Sequence, residues 1–207
     1  MALTSPVVLD EGAVARGSPP ADARATVQTL APGFLIAMPR LGDPNFQRAV
    51  ILVIEHGSGG AMGLVINRAA PLTLADVAEG HDLKLADGRG EQQVFLGGPV
   101  EPQRGFVLHD SSDVPEKHEI VPGLYLSVTL DALAPLLGDT QCKLRFCLGY
   151  AGWGPKQLDH EIAAGAWLFT EAERVAVLEG EADSLWDSTL RGMGVDPAMI
   201  VSGAGVQ

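Results

Sequence analysis

Between residues 148 and 161 the chain sets Gly149, Gly152 and Gly154 among Tyr150 and Trp153, then runs Pro155-Lys156-Gln157-Leu158-Asp159-His160-Glu161. A strand-like segment at 143–147 precedes this stretch and a helix-like one from Gln157 to 164 follows it. The pattern reads as a turn between a sheet and a helix start. Glycine lets a ligand approach the backbone, and the first N–H groups of a helix face outward. Such a turn can therefore cradle an anion or carboxylate while Tyr150 and Trp153 supply stacking area. The competing reading is a structural turn whose aromatics plug the core, the more common use of glycines at strand–helix junctions. No reaction is legible in these residues.

Specific motifs are absent from the stretch. Its spacing is G-x-x-G-x-G, whereas a dinucleotide fingerprint is G-x-G-x-x-G, and Gly154-Pro155-Lys156-Gln157 lacks the Ser or Thr that follows lysine in a phosphate loop. Pro155 suits the first position of a helix. Gly57-Ser58-Gly59-Gly60 lies between two strand-like runs, which makes it a hairpin tip and not a nucleophile elbow. His56, His81, His109, His118 and His160 show no paired-ligand spacing. His56 and His109 end strands and read as surface residues within reach of carboxylates such as Glu55 or Asp110. Asp159 and Glu161, two apart on a helix, do not share a face. Cys142 and Cys147 are five apart in a strand-like run and point to opposite faces, so they read as reduced thiols.

Two further places offer polar groups on short, stiff connections. Arg40 and Asp43 lie in a loop bracketed by Pro39 and Pro44, and Asn67-Arg68 ends a strand. Rigid loops aim polar side chains well, so these are ligand-facing candidates, with a loop-locking ion pair as the alternative.

The elements that must position these residues are mostly strands. Strand-like runs fall at 34–38, 48–55, 61–67, 93–96, 105–109, 124–128, 143–147, 167–169 and 174–178. Residues 97–102 separate two of them. Short helices are expected at 72–77 with a Thr73 cap, from Thr129, from Gln157, and at 184–193. Strands outnumber helices and neighbours are joined by short loops. The fold class that follows is α+β: a single domain with a coiled, largely antiparallel or mixed sheet flanked by a few short helices. Residues 1–27, rich in Ala, Pro, Gly, Ser and Asp, read as a flexible N-terminal tail, and 28–207 as the domain.

Composition narrows the function. The 207 residues are 46% hydrophobic and 5% aromatic, so the core is aliphatic and large enough for one domain. Asp and Glu number 26 against 14 Lys and Arg, a net charge of −12. Without a basic helix or a helix-turn-helix pattern, that charge disfavours direct nucleic-acid binding. The first residues lack the basic and apolar regions of a signal peptide, and no apolar run nears the ~18 residues needed to span a bilayer. A cytoplasmic location is expected, with no membrane partner and no cofactor motif.

The order of the motifs carries a resemblance. Ala31-Pro32-Gly33-Phe34-Leu35-Ile36-Ala37-Met38-Pro39 is followed by Asp43-Pro44-Asn45-Phe46, Glu55-His56, Gly60-Ala61-Met62-Gly63-Leu64-Val65-Ile66-Asn67-Arg68, and Gly97-Gly98-Pro99-Val100. Arg104-Gly105-Phe106-Val107-Leu108-His109, Leu148-Gly149-Tyr150-Ala151-Gly152-Trp153 and Gln157-Leu158-Asp159-His160-Glu161 complete it. From residue 28 onward the chain resembles the bacterial AlgH/YqgE family. The resemblance implies a single α+β domain with a coiled mixed sheet in the bacterial cytosol. It implies no activity, although one branch carries a transcriptional-regulator label. Lys156 stands where the family usually has glycine, and the end Ser202-Gly203-Ala204-Gly205-Val206-Gln207 replaces a common Ala-Gly-His-Ala.

The leading expectation is a protein that binds a small molecule or a protein partner through Arg40, Asp43, Asn67, Arg68, Gly149, Tyr150, Gly152, Trp153 and Gln157. In it the Gln157 helix start and Arg68 or Arg40 receive an anion or carboxylate. The alternatives are a transcriptional regulator acting indirectly, or an enzyme in which Cys147, His56 or His109 converge with carboxylates. Oligomeric state is left open.

Overall fold

The computed structural model describes residues 29–202. The expected tail and residues 203–207 of the atypical C-terminal end lie outside them. Ten strands form one sheet whose main path runs β10 (Trp167–Glu171), β1 (Gly33–Ala37), β2 (Val50–Gly57), β3 (Gly60–Val65), β9 (Leu144–Trp153), β6 (Val100–His109), β8 (Leu124–Ser127) and β7 (His118–Val121). β4 (Ala69–Thr73) pairs β5 (Gln93–Leu96), and β5 joins β9 in parallel, while every other pairing is antiparallel. Six helices cover the faces: α1 (Leu74–Gly80), α2 (Leu130–Gly138), α3 (Gln157–Ala163), α4 (Arg174–Glu179), α5 (Ala182–Gly192) and α6 (Pro197–Ser202). The architecture is α+β, as the element pattern predicts.

Alternation along the strands divides the core into three layers. Phe34, Ile36, Val50, Leu52, Leu64, Phe106 and Leu108 point to one side, where Val177 of α4 and Leu185, Trp186 and Leu190 of α5 meet them. Behind β1–β3, Leu35, Ile51, Val53 and Val65 pack with Trp153, Trp167 and Leu158 of α3. Behind β5, β6 and β9, Val94, Val107, Phe146 and Leu148 pack under α1 and α2. Cys147 joins the first layer and Cys142 the third, and both thiols are free. That agrees with their expected opposite faces. Local chemistry sets the helix starts: Thr73 and Asp76 form a capping box on α1, and Thr129 accepts from the Ala132 amide.

β9 holds the sheet together. Along one edge it pairs β6. Along the other it pairs β5 over Phe146–Leu148, then β3 over Ala151–Trp153. The change of partner falls at Gly149, which has φ +71. Cys147 and Tyr150 pack in the same layer, although three positions apart in a regular strand would put them on opposite sides. The left-handed residue acts as a bulge that resets the alternation. Here the backbone of Gly98, φ +154, crosses so closely that a Cβ on Gly149 would lie 2.4 Å from the Gly98 carbonyl oxygen. Beside them Gly97 donates to Leu148 O and accepts from Val65 N, stitching β3 to β9.

Several expectations need correction. Residues 148–153 are not a turn: they continue β9 to Trp153, because the glycines serve backbone crossing within a sheet. The turn is confined to residues 154–156, and Pro155 precedes α3 instead of opening it. Lys156, at the position where the resemblance leads one to expect glycine, has φ +63. Residues 174–178 are helical. Their β-branched run suggests a strand, but only Val177 is buried, and Val175 is 57% exposed. Strands at 69–73 and 118–121 and the first half of β6 carry charged, proline or glycine residues at sheet edges, which hides their period. The helix at 197–202 was not expected either.

The two strand-end histidines are not surface residues. His56 has a side chain only 4% exposed, 3.4 Å from Asp159 rather than from Glu55. His109 is completely buried and its Nε2 shares a 3.0 Å hydrogen bond with Ser127 Oγ, joining β6 to β8. Burial pushes its pKa down to about 4; the Ser111 backbone and Asp110 oppose this more weakly, and Lys117 adds to it.

Gly149→Ala should lower stability by about 3 kcal/mol or more in urea unfolding, since alanine meets both a left-handed φ and an immovable backbone. Gly152→Ala, whose Cβ would have ordinary room 3.4 Å from Tyr150, is the control and should stay within about 1 kcal/mol. For His109, the unfolded chain takes up a proton near 6.5 and the folded chain only near 4. Its contribution is complete above pH 6.5 and about 3 kcal/mol is lost as pH falls from 6.5 to 4. Urea unfolding at pH 7 and pH 4.5 should show a steeper loss in the wild type than in His109→Gln; equal slopes would exclude this assignment.

Candidate functional site

The connection between β1 and β2 is two 3-10 turns, Pro39–Leu41 and Pro44–Phe46. Pro39 opens the first, the left-handed Gly42 ends it, and Pro44 opens the second. Asp43 caps the second by accepting from the Asn45 amide at 2.8 Å. The connection ends at Arg48, a non-glycine residue at φ +54. Asn67, just beyond β3, holds that conformation: its Nδ2 donates to Arg48 O at 2.9 Å and its Oδ1 accepts from Val50 N at 2.8 Å. Backbone held in such a region needs support from its surroundings, and it concentrates at binding and catalytic sites.

Across from this connection lies α5. The Arg48 guanidinium stacks 4.3 Å from the Trp186 ring and pairs with Asp187, while Trp186 Nε1 donates to Ala37 O at 2.9 Å. Two adjoining pockets, the lobes of a cleft, open between loop and helix, and Gln47, Arg48 and Trp186 stand in the walls of both. The larger lobe, about 380 Å³, is bounded mainly by Met38, Pro39, Leu41, Pro44 and the indole, with Asp43 also in its wall. The smaller, about 160 Å³, is lined by Asn67, Arg68, Ala182 and Asp183. Arg68 spends two of its five N–H donors on Pro44 O (3.1 Å) and Gln47 O (3.2 Å), and no carboxylate pairs it among the described residues.

Arg145 ties the walls of the smaller lobe together. It is 5% exposed and donates to Ile66 O, one residue before Asn67, and to Gly180 O at 2.6 Å, two residues before α5. Its guanidinium lies 4.4 Å from the Phe95 ring. Burial holds its pKa below the ordinary arginine value.

The nine expected residues do not share one site. Asp43, Asn67 and Arg68 line the cleft. Arg40 stands on the loop but turns to Ala164 O, 3.4 Å away, tying the loop to the end of α3. Trp153 is 7% exposed, so its ring is not a free stacking platform. It stacks on Phe46 at 6.4 Å, beneath the loop, and its Nε1 donates to Glu161 at 3.0 Å. Glu161 also accepts from Trp167 Nε1 (2.8 Å) and Gln157 Nε2 (2.9 Å), and Gln157 Oε1 accepts from Gly154 N at 3.0 Å. Gln157 is therefore a brace for the α3 start. Tyr150 lies edge-on to Phe106 and reaches Glu101, and Gly149 and Gly152 stay within β9. Gln47, Arg48, Asp183 and Trp186 escaped the sequence reading. A lone Trp on an amphipathic helix and an Arg opening an aliphatic strand were the available signals.

Groups for an enzymatic reading do not gather. Cys147 is fully buried, its thiol pushed up to about 12 by burial, and it shares no hydrogen bond or ion pair with His56 or His109. Among the described residues no three His, Cys, Asp or Glu side chains are arranged to hold a metal. No helix among them is long and apolar enough to cross a membrane.

An open, mainly antiparallel sheet with short helices on both faces and a loop–helix cleft at one end defines an AlgH-type α+β domain. The chain belongs to the AlgH-like family, whose profile matches residues 34–198. It is 66% identical over 180 residues to a UPF0301 protein of Myxococcus xanthus, covering 87% of this chain and 99% of that one. It is 38% identical over 176 residues to a UPF0301 protein of Alcanivorax borkumensis, covering 83% and 93%. The solution structure of the AlgH protein from Pseudomonas aeruginosa superposes with a TM-score of 0.68 at 34% identity, over 90% of this chain and 100% of that one. Protein DIP2367 from Corynebacterium diphtheriae shares the fold, with a TM-score of 0.63 at 23% identity over 87% and 90%.

Replacing Arg145 with Met keeps the bulk but leaves the Ile66 and Gly180 carbonyls without their donor. The expected loss in urea unfolding is about 2 kcal/mol or more, with faster amide exchange confined to residues 66–68 and 180–183. Unchanged exchange there would show that Arg145 does not hold the two walls.

Proposed function

We propose that this chain is a cytosolic small-molecule-binding protein and that its site is the cleft between the Pro39–Arg48 connection and α5. One observation carries the reading: a cavity of about 380 Å³, within the range of small-ligand sites, is walled mainly by Met38, Pro39, Leu41 and Pro44 and adjoins a second of about 160 Å³ bearing charged groups. The strained Arg48 at the junction, clamped by Asn67, supports it. Two free, buried cysteines suit a reducing compartment. The net charge is −12, so a ligand is favoured over nucleic acid.

The test uses N-phenyl-1-naphthylamine, a neutral probe that fluoresces in apolar surroundings. The wild type should bind one equivalent. Gln47→Trp, an exposed position in the walls of both lobes, should fill the junction and weaken binding at least tenfold while the thermal midpoint stays within a few degrees. Equal binding by wild type and variant would remove the cleft as the site.

A further inference from the structure

The smaller lobe carries charges of both signs that do not satisfy each other. Arg68 and Asp183 line the same space of about 160 Å³, yet no ion pair joins them, and neither has an oppositely charged partner among the described residues. Arg68 keeps three donors beyond those used on the loop carbonyls. Arg48 differs. Asp187 neutralises it, and its plane lies over Trp186, so at the junction it contributes a flat face and no net charge.

We infer that the cleft takes a zwitterion, an α-amino acid with a large apolar or aromatic side chain. The inference rests on the cleft being a small-molecule site. Arg68 receives the carboxylate and Asp183 the ammonium group, while the side chain enters the larger lobe among Met38, Pro39, Leu41 and Pro44. Charge balance excludes the neighbouring classes. Asp187 neutralises Arg48, and the other charged groups in the walls are Arg68, Asp183 and Asp43, so a phosphate or other polyanion would meet two carboxylates for one free guanidinium group. A simple amine would meet Arg68, and a neutral apolar molecule would leave both Arg68 and Asp183 unpaired at the end of the cleft. Only a ligand with adjacent opposite charges pairs both.

Calorimetric titration of the full chain with L-phenylalanine, 3-phenylpropanoate and 2-phenylethylamine separates the contributions, since the three share one ring and chain and differ in the charged groups. L-Phenylalanine should bind at least tenfold tighter than either analogue. In Asp183→Asn, an exposed position, phenylalanine and phenylpropanoate should become equal. In Arg68→Gln, phenylalanine and phenylethylamine should become equal, and Arg68→Lys should recover part of the difference. L-Leucine and L-tryptophan test the larger lobe with other side chains. Should phenylpropanoate bind as tightly as phenylalanine to the wild type, or all three amino acids fail to bind, the zwitterion assignment is overturned. Binding of N-phenyl-1-naphthylamine alongside that result would leave the cleft itself standing, and its loss as well would remove both.

Discussion

Everything in this domain hangs on one backbone contact, the crossing of Gly98 over Gly149. With no Cβ on either residue, β5, the start of β6 and the middle of β9 come together at a spacing that no side chain would permit. The crossing lets one ten-residue strand pair with three partners and reset its alternation midway. The first half of β9 thereby serves the layer under α1 and α2, and its end, with Ala151 and Trp153, serves the layer under α3. A sheet that bends in this way can close around α4 and α5 on its other side, where the cleft forms.

The cleft is held by the buried Arg145 and by the half-buried Asn67 and Glu161. Asn67 fixes the conformation of Arg48, and Arg145 fixes the two chain segments that carry Asn67 and α5. Glu161 gathers the indoles of Trp153 and Trp167 beneath Phe46 and so supports the loop from behind. Each of these groups is satisfied by backbone or indole N–H, which is how a buried polar group avoids its desolvation penalty. Arg68 and Asp183, which have no oppositely charged partner among the described residues, lie at the wall of the cleft and not within the core. That division separates the groups that build the cleft from those left at its wall.

Much of the fold was legible. The Gly57–Gly60 hairpin, the Thr73 and Thr129 helix starts and the aliphatic strands β1, β2 and β3 announce themselves through local chemistry and period. Where the reading failed, tertiary context overrode a local signal. Glycines at 149 and 152 looked like turn punctuation because a chain read alone cannot show a second backbone crossing it. Residues 174–178 looked like a strand from their valines, yet only Val177 meets the core. Of the candidate site, Asp43, Asn67 and Arg68 were found from stiff loops and strand ends, whereas Trp153 and Gln157 proved to be supports.

By itself the sequence determined the α+β class, the family and the set of local elements, because periodicity, caps and turn residues act over a few positions and need no distant partner. Only the tertiary structure decided that Arg48, 138 residues before Trp186 in the chain, lies over its ring, and that Arg68 and Asp183 line one cavity. Those juxtapositions depend on how a strongly bent sheet returns α5 to the β1–β2 connection. No local preference encodes them; they follow from burying three apolar layers at once around a strand that changes partners at a glycine.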